Sequence, residues 1–128
     1  MKTSTVTELK KELKNRSPED LVEIALRLSK FKKENKELLT YLLFEADNEP
    51  LYIEHVKNEI ELQFVEINTK SVYFVKKSVR KILRNTKKYI RYSKIIETEI
   101  ELLMYFCEQM RNMSPSYKNS AVLTNIYD

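Results

Sequence analysis

Apolar residues recur at intervals of three and four positions along most of this chain, which is the spacing of amphipathic helices. The connections between the periodic segments are short, and short connections make successive helices pack as antiparallel hairpins. We therefore predict an all-α fold of about six antiparallel helices, arranged as an up-and-down bundle or a short HEAT-like helical stack. The predicted helices lie near residues 5–14, 18–31, 36–46, 50–68, 71–92 and 95–113.

Capping residues mark several of these boundaries. Thr5 and Glu8 have the spacing of a capping box at the start of the first helix. Ser17, followed by a proline and two acidic residues, is a strong N-cap for the second helix. Asn35 is predicted to begin the third helix. Pro50, in "DNEP", separates the third helix from the fourth because the residue before a proline avoids the α region.

The three longest predicted helices each carry an apolar stripe, which we assign to the core. From Leu102 to Cys107 the sixth helix is apolar on nearly every side, so we expect it to lie centrally and to touch several neighbours. The stripes are Ile53, Val56, Ile60, Phe64 and Ile67 in the fourth helix; Val72, Val75, Val79, Ile82, Thr86 and Ile90 in the fifth; and Ile96, Ile100, Leu103, Cys107 and Met110 in the sixth.

The composition favours the same fold. The chain of 128 residues contains no glycine and three prolines, and 42% of its residues are apolar. Tight β-hairpins and phosphate-cradling loops usually need glycine, so folds built on them are disfavoured. The length fits a single helical domain over residues 1–113. A C-terminal tail, 114–128, either holds one short helix from Ala121 to Tyr127 or frays.

Two segments, "LKKELKNRSPEDLVEIALRLSKFKKENKELLTYLL" and "YIRYSKIIETEIELLMYFCEQ", carry a resemblance to a known family. Their shared features are a Ser-Pro-capped helix start, a Lys-Glu-rich connection into the third helix, and a late apolar helix containing "LMYFCEQ". On these features the chain resembles an uncharacterised bacterial family of small all-helical proteins, a domain of unknown function, loosely over residues 9–110. The tail differs from that family's usual ending. The resemblance implies an all-helical fold and implies no function.

Cysteine usage and hydropathy bear on the location of the protein. The single cysteine, Cys107, allows no disulfide within the chain, and the stretch "MKTSTVTELKKELK" lacks the apolar segment of a secretory signal. The densest apolar run, Ile100 to Cys107, falls short of the roughly 18 residues that cross a bilayer. We therefore expect a cytoplasmic protein with no integral membrane association.

The residue types that usually carry catalysis or bind metals are scarce. His55 and Cys107 are the only histidine and cysteine, so the sequence offers no Cys/His zinc set. Glu54 adjoins His55 and does not form the Glu-x-x-His pair of di-iron bundles. We interpret His55 as a surface imidazole near Glu59, and Cys107 as a core residue whose thiol pKa is raised. We therefore predict no enzymatic activity, no catalytic or metal site and no cofactor.

Positive charge is concentrated in the fifth predicted helix. Residues 70–94 hold ten Lys and Arg residues and no acid, in a chain whose net charge is +4. Eight of them form nine like-charge pairs at i,i+3 and i,i+4 spacing, which would cost an isolated helix about 2 to 4 kcal/mol, so we expect some group to offset the repulsion. The residues that form these pairs lie opposite the apolar stripe and are Lys76, Lys77, Arg80, Lys81, Arg84, Lys87, Lys88 and Arg91.

Two sources of compensating charge remain open at this point. The internal source, which we favour slightly, is a set of acids on the flanking helices, either Glu97, Glu101 and Glu108 or Glu54, Glu59, Glu61 and Glu66. The external source is an anionic partner. An anionic membrane surface ranks last among such partners, because the apolar stripe of the helix is needed for the core.

Our leading hypothesis is a non-enzymatic helical protein that binds another macromolecule, with a protein partner or self-association favoured. The alternative is a nucleic-acid-binding module that uses the basic side of the helix at 71–92. Tyr73 projects into that side, where an aromatic ring can stack on a base. The candidate binding residues are Lys77, Arg80, Lys81, Arg84, Lys88, Arg91 and Tyr73.

Overall fold

A computed structural model describes residues 1–113 and shows an all-α fold with no strand among those residues. The all-α prediction is confirmed, and each helix lies within a few residues of its predicted position. The predicted tail and its short helix lie outside the described residues. The helices are α1 (Val6–Lys14), α2 (Pro18–Phe31), α3 (Lys33–Thr40), which continues as a π-helical segment (Tyr41–Glu45), α4 (Glu49–Val65), α5 (Val72–Ser93) and α6 (Ile96–Arg111).

The capping predictions hold at the first two helices and fail at the third. The hydroxyls of Thr5 and Ser17 accept hydrogen bonds from the backbone N–H groups of Glu8 and Asp20, at 3.2 and 3.1 Å. Asn35 does not begin α3, which starts two residues earlier. Its side-chain amide instead donates to the carbonyl of Leu28 at 2.8 Å, so Asn35 satisfies an orphan carbonyl near the end of α2.

The contacts divide the chain into two compact units, one covering Met1–Leu43 and the other beginning at Phe44. In the first unit α2 and α3 pack against each other. None of the nine residues of α1 is buried. In the second unit α4, α5 and α6 all pack against one another as a three-helix bundle. None of the helices within residues 1–113 is both long and apolar enough to cross a membrane.

Side-chain hydrogen bonds show the direction of the helices in the second unit. The phenol of Tyr52, near the start of α4, donates to the carbonyl of Tyr89, near the end of α5, at 2.7 Å. These two helices therefore run antiparallel. Thr98, near the start of α6, donates to Glu49 at the start of α4 at 2.6 Å, so α4 and α6 run parallel. The bundle is thus an up-down-up arrangement, as short connections require.

The core of the bundle confirms two of the three predicted stripes. In α5 every predicted core residue is buried except Val72, and in α4 the predicted stripe is buried except for Ile53 and Ile67, which are half-buried. The rings of Phe64 and Phe106 meet across α4 and α6 with their centres 5.6 Å apart. The core side chains are Tyr52, Val56, Ile60 and Phe64 of α4; Val75, Val79, Ile82, Thr86 and Ile90 of α5; and Thr98, Leu102, Phe106 and Met110 of α6.

The stripe predicted for α6 is wrong apart from Met110. Ile96 and Ile100 are exposed, Leu103 and Cys107 are half-buried, and the opposite side of the helix forms the core. The reason is that α6 carries two apolar stripes, and periodicity alone does not say which one faces the bundle. α6 does touch several neighbours, as expected, since it packs against both α4 and α5, but its outer side stays exposed.

Candidate binding surfaces

The basic residues predicted to bind a partner form one continuous surface on α5, which we call the basic face: Lys77, Arg80, Lys81, Arg84, Lys88 and Arg91. All are exposed except Lys88, which is half-buried with its Nζ 5.0 Å from the centre of the Tyr89 ring. From Lys77 to Arg91 the basic face extends about 21 Å along the helix at the usual rise per residue. The opposite side of α5 is buried in the bundle, which fixes the direction in which these cations point.

Within residues 44–113, the flanking helices place no paired acid beside the exposed cations of the basic face. Among the described residues of the second unit, no acid forms an ion pair with any of its five exposed cations. Two of the acids of α4 and α6 contact each other's helices instead. Glu101 pairs with Lys57 at 3.3 Å, and Glu61 accepts a hydrogen bond from Tyr105 at 3.2 Å. The internal compensation that the sequence slightly favours is therefore not what the structure shows for these cations.

Tyr73 stands at the N-terminal end of the basic face, one turn before Lys77. Its side chain is 65% exposed, and its ring meets that of Phe74 edge to face with the centres 5.3 Å apart. From Val75 to Ser93, a segment that the structure describes in full, α5 exposes no large apolar side chain. The basic face thus exposes only cations along its length, with an exposed aromatic ring at its start.

A second surface, absent from the sequence predictions, lies on the outer side of α6. Ile96, Ile100 and Met104 are 71%, 53% and 67% exposed and follow one another at intervals of four residues. Glu97 and Glu101 run along one edge of this row, at the same interval. We call these five residues the α6 surface; Ile100 and Met104 line an open depression there.

A third exposed row lies on α1 in the first unit. Val6, Leu9 and Leu13 are 81%, 51% and 42% exposed and, with Leu21 of α2, line a shallow apolar depression. Lys10 and Lys14 border it along one edge. We call this row the α1 surface. Like the α6 surface, it is an exposed apolar row with charged residues along one edge, but here the charge is positive.

The groups with catalytic potential are placed only partly as the sequence predicts. His55 is a surface residue, as predicted, and the acid within ion-pair distance of its imidazole is Glu45, on the π-helical segment, at 3.4 Å. Cys107 is half-buried beside the α6 surface and not in the core. The pKa of its thiol is nevertheless raised, as predicted, chiefly by desolvation and against the lowering effect of Arg111. Within residues 1–113 no three His, Cys, Asp or Glu side chains are grouped to hold a metal ion.

The pKa of Tyr105 is also raised, in the cluster that joins α4 to α6. Burial of the phenol contributes most, followed by its hydrogen bond to Glu61 and the nearby negative charges of Glu61, Glu108 and Glu54. The ammonium of Lys57 lies 5.3 Å from the centre of the Tyr105 ring. This cluster joins α4 to α6 through Glu61, Tyr105 and Lys57.

Sequence reasoning found the basic face but missed the α1 and α6 surfaces. The signal for the α6 surface was present, because a helix that is apolar on nearly every side has more apolar area than one core contact can cover. We assigned all of that area to the core. The α1 surface was visible as an i,i+3,i+7 spacing, which indicates an amphipathic helix without saying whether its apolar side is covered.

Comparison of the chain with models of known protein families, with curated proteins and with solved structures finds no match. The resemblance to an uncharacterised bacterial family therefore stays a prediction.

Proposed function

We propose that this chain is a non-enzymatic protein that works by binding protein, and that the α6 surface binds the α1 surface of a second copy. The observation that carries the proposal is the exposure of Ile96, Ile100 and Met104 on a helix whose other side is fully buried. Contiguous exposed apolar rows of this kind mark interaction sites.

The chemistry of the α6 surface defines what it accepts. An apolar row on a helix pairs with the apolar side of another amphipathic helix, because each removes the other from water. Glu97 and Glu101 at the edge of the row favour a basic edge on the partner, since unlike charges at the rim of an interface set its orientation, although Glu101 already shares its charge with Lys57. The expected occupant is therefore an amphipathic helix with lysine or arginine along one edge.

The α1 surface of a second copy meets this description. Its apolar row is exposed, no residue of α1 is buried, and Lys10 and Lys14 have the same four-residue interval as Glu97 and Glu101. In both helices each charged residue directly follows an apolar residue of the row. The charged edge therefore lies on the same side of the apolar row in both helices when each is viewed from N- to C-terminus. Two facing helices bring such edges together only when they run antiparallel. Lys10 then lies opposite Glu101, and Lys14 opposite Glu97.

Sedimentation equilibrium of the full chain over a range of concentrations tests the proposal. We expect reversible self-association by about 100 μM protein, with Ile100→Glu on one surface and Leu9→Glu on the other each abolishing it. Leu62→Glu is the matched control, because Leu62 on α4 is 56% exposed but belongs to neither surface. A wild-type chain that stays monomeric, or a control that dissociates the complex equally, overturns the proposal.

A charge exchange tests the orientation. Lys14→Glu and Glu97→Lys should each weaken association, and the two substitutions combined in one chain should restore it, because the pair is rebuilt with its signs reversed. Failure of the combined variant to recover, with circular dichroism confirming that it is folded, contradicts the antiparallel pairing.

A further inference from the structure

The basic face of α5 carries an inference that does not depend on self-association. Five exposed cations project from one side of a single helix without an acidic partner among the described residues of their unit, and the helix bears their mutual repulsion. We propose that the basic face, with Tyr73 at its end, binds the phosphate backbone of nucleic acid without reading its base sequence.

The absence of apolar anchors on the basic face distinguishes nucleic acid from an acidic protein. The centres of protein interfaces are depleted of charged residues and enriched in aromatic and apolar side chains. α5 exposes no large apolar side chain from Val75 to Ser93. A protein partner could therefore form charge contacts with this surface but could not bury an apolar side chain of it. Phosphate backbones are bound mainly by rows of lysine and arginine, which is what this surface offers.

The burial of the opposite side of α5 distinguishes nucleic acid from a membrane. A helix that lies on a bilayer inserts its apolar side among the lipid chains. In α5 that side is formed by buried residues such as Val75, Val79 and Ile82, which are committed to the bundle. Insertion would require the bundle to open. While the bundle stays folded, α5 can therefore interact with a lipid bilayer only through the charges of the basic face.

Two uncharged polar side chains of α5 that could read bases are already occupied. The Asn85 amide donates to the side-chain oxygen of Gln63 at 2.9 Å, and Thr86 is buried with its hydroxyl donating to the carbonyl of Ile82 at 2.8 Å. Asparagine and threonine contribute to base recognition in the grooves when they are exposed. Binding through the basic face is therefore expected to be independent of sequence. Tyr73 adds a ring on which an unpaired base can stack, which favours single strands.

Fluorescence anisotropy with random-sequence duplex and single-stranded oligonucleotides tests this inference on the full chain. We expect micromolar affinity at about 50 mM salt and an affinity roughly a thousandfold lower at about 200 mM. That salt dependence corresponds to about six phosphate contacts. Arg80→Glu combined with Arg84→Glu should weaken binding at least about tenfold and lower the salt slope by about two. Tyr73→Leu should weaken single-strand binding more than duplex binding.

A charge-matched control separates the basic face from net charge. Lys30→Glu with Lys33→Glu makes the same change in exposed residues of the first unit and should leave the affinity within about twofold. Equal weakening by both double variants, no binding at micromolar protein in low salt, or binding to anionic vesicles but not to oligonucleotides each overturns the inference. Repeating the titration with Ile100→Glu separates nucleic-acid binding from self-association, since that variant should bind nucleic acid with the affinity of the wild type.

Discussion

The hydroxyl of Thr98 donates a hydrogen bond to the carboxylate of Glu49 over 2.6 Å, joining the first turn of α6 to the first residue of α4. Ser93, at the end of α5, donates to the same carboxylate oxygen. One carboxylate thus holds all three helices of the bundle at one end, and its negative charge also lies at the positive end of the α4 dipole. This contact gives the buried hydroxyl of Thr98 an acceptor within the core, so it favours the side of α6 that faces the bundle.

Substitution of Thr98 by valine should lower the free energy of unfolding by about 2 kcal/mol, because it removes a hydrogen bond to a charged group and leaves shape almost unchanged. Thr86→Val is a matched control. Both threonines are fully buried, but the Thr86 hydroxyl donates to a carbonyl of its own helix, so its loss should cost less than about 1 kcal/mol. Denaturant unfolding of the two variants measures the difference. If both substitutions lowered the free energy of unfolding equally, the hydrogen bond from Thr98 to Glu49 would contribute no more than one within a helix.

Lys94 ends α5 with a left-handed backbone, at φ 59°, and it is the one residue with positive φ among those described. A side chain with a Cβ atom pays roughly 1 kcal/mol for this conformation, and glycine does not. Lys94→Gly should therefore raise the free energy of unfolding by up to about 1 kcal/mol. Lys94→Ala removes the same charge without relieving the backbone and should give no comparable gain. If the two variants were equally stable, the charge and not the conformation would be the cause.

The sequence determined the basic face and the core of α4 and α5 because helical periodicity alone places those residues. Val79 and Arg84 fall on opposite sides of α5 wherever its neighbours are. The sequence could not determine how α6 is oriented, since Ile100 and Leu102 are equally apolar and only Glu49, 49 positions before Thr98, distinguishes their sides. For the same reason it could not say where the acids of α4 and α6 point. The absence of compensation for the basic face is a property of tertiary packing.

Tyr105 should ionise at higher pH than an ordinary tyrosine, whose pKa is 10.0, because burial and the carboxylate of Glu61 both favour the neutral phenol. A raised pKa in the folded state means that the contribution of Tyr105 to stability is complete below about pH 10 and is lost as the pH rises through the folded-state pKa. Tyrosinate absorbance, taken as the difference between wild type and Tyr105→Phe, follows this one residue among eight. Glu61→Gln should move its titration back towards pH 10, and a wild-type titration at or below pH 10 would contradict the assignment.

Arg84→Glu should stabilise the isolated protein, because Arg84 has no acidic partner among the described residues of the second unit. Arg84 has four cationic neighbours at i,i+3 and i,i+4 spacing, namely Arg80, Lys81, Lys87 and Lys88, and reversal of its charge turns four repulsions into attractions. We expect a gain of about 2 kcal/mol in the free energy of unfolding at low salt, which shrinks as salt screens the charges. Arg84→Gln should give about half of the gain, since it only removes the repulsion. If Arg84 were paired internally, the same substitutions would destabilise the protein, so thermal melting at low and high salt decides the sign directly.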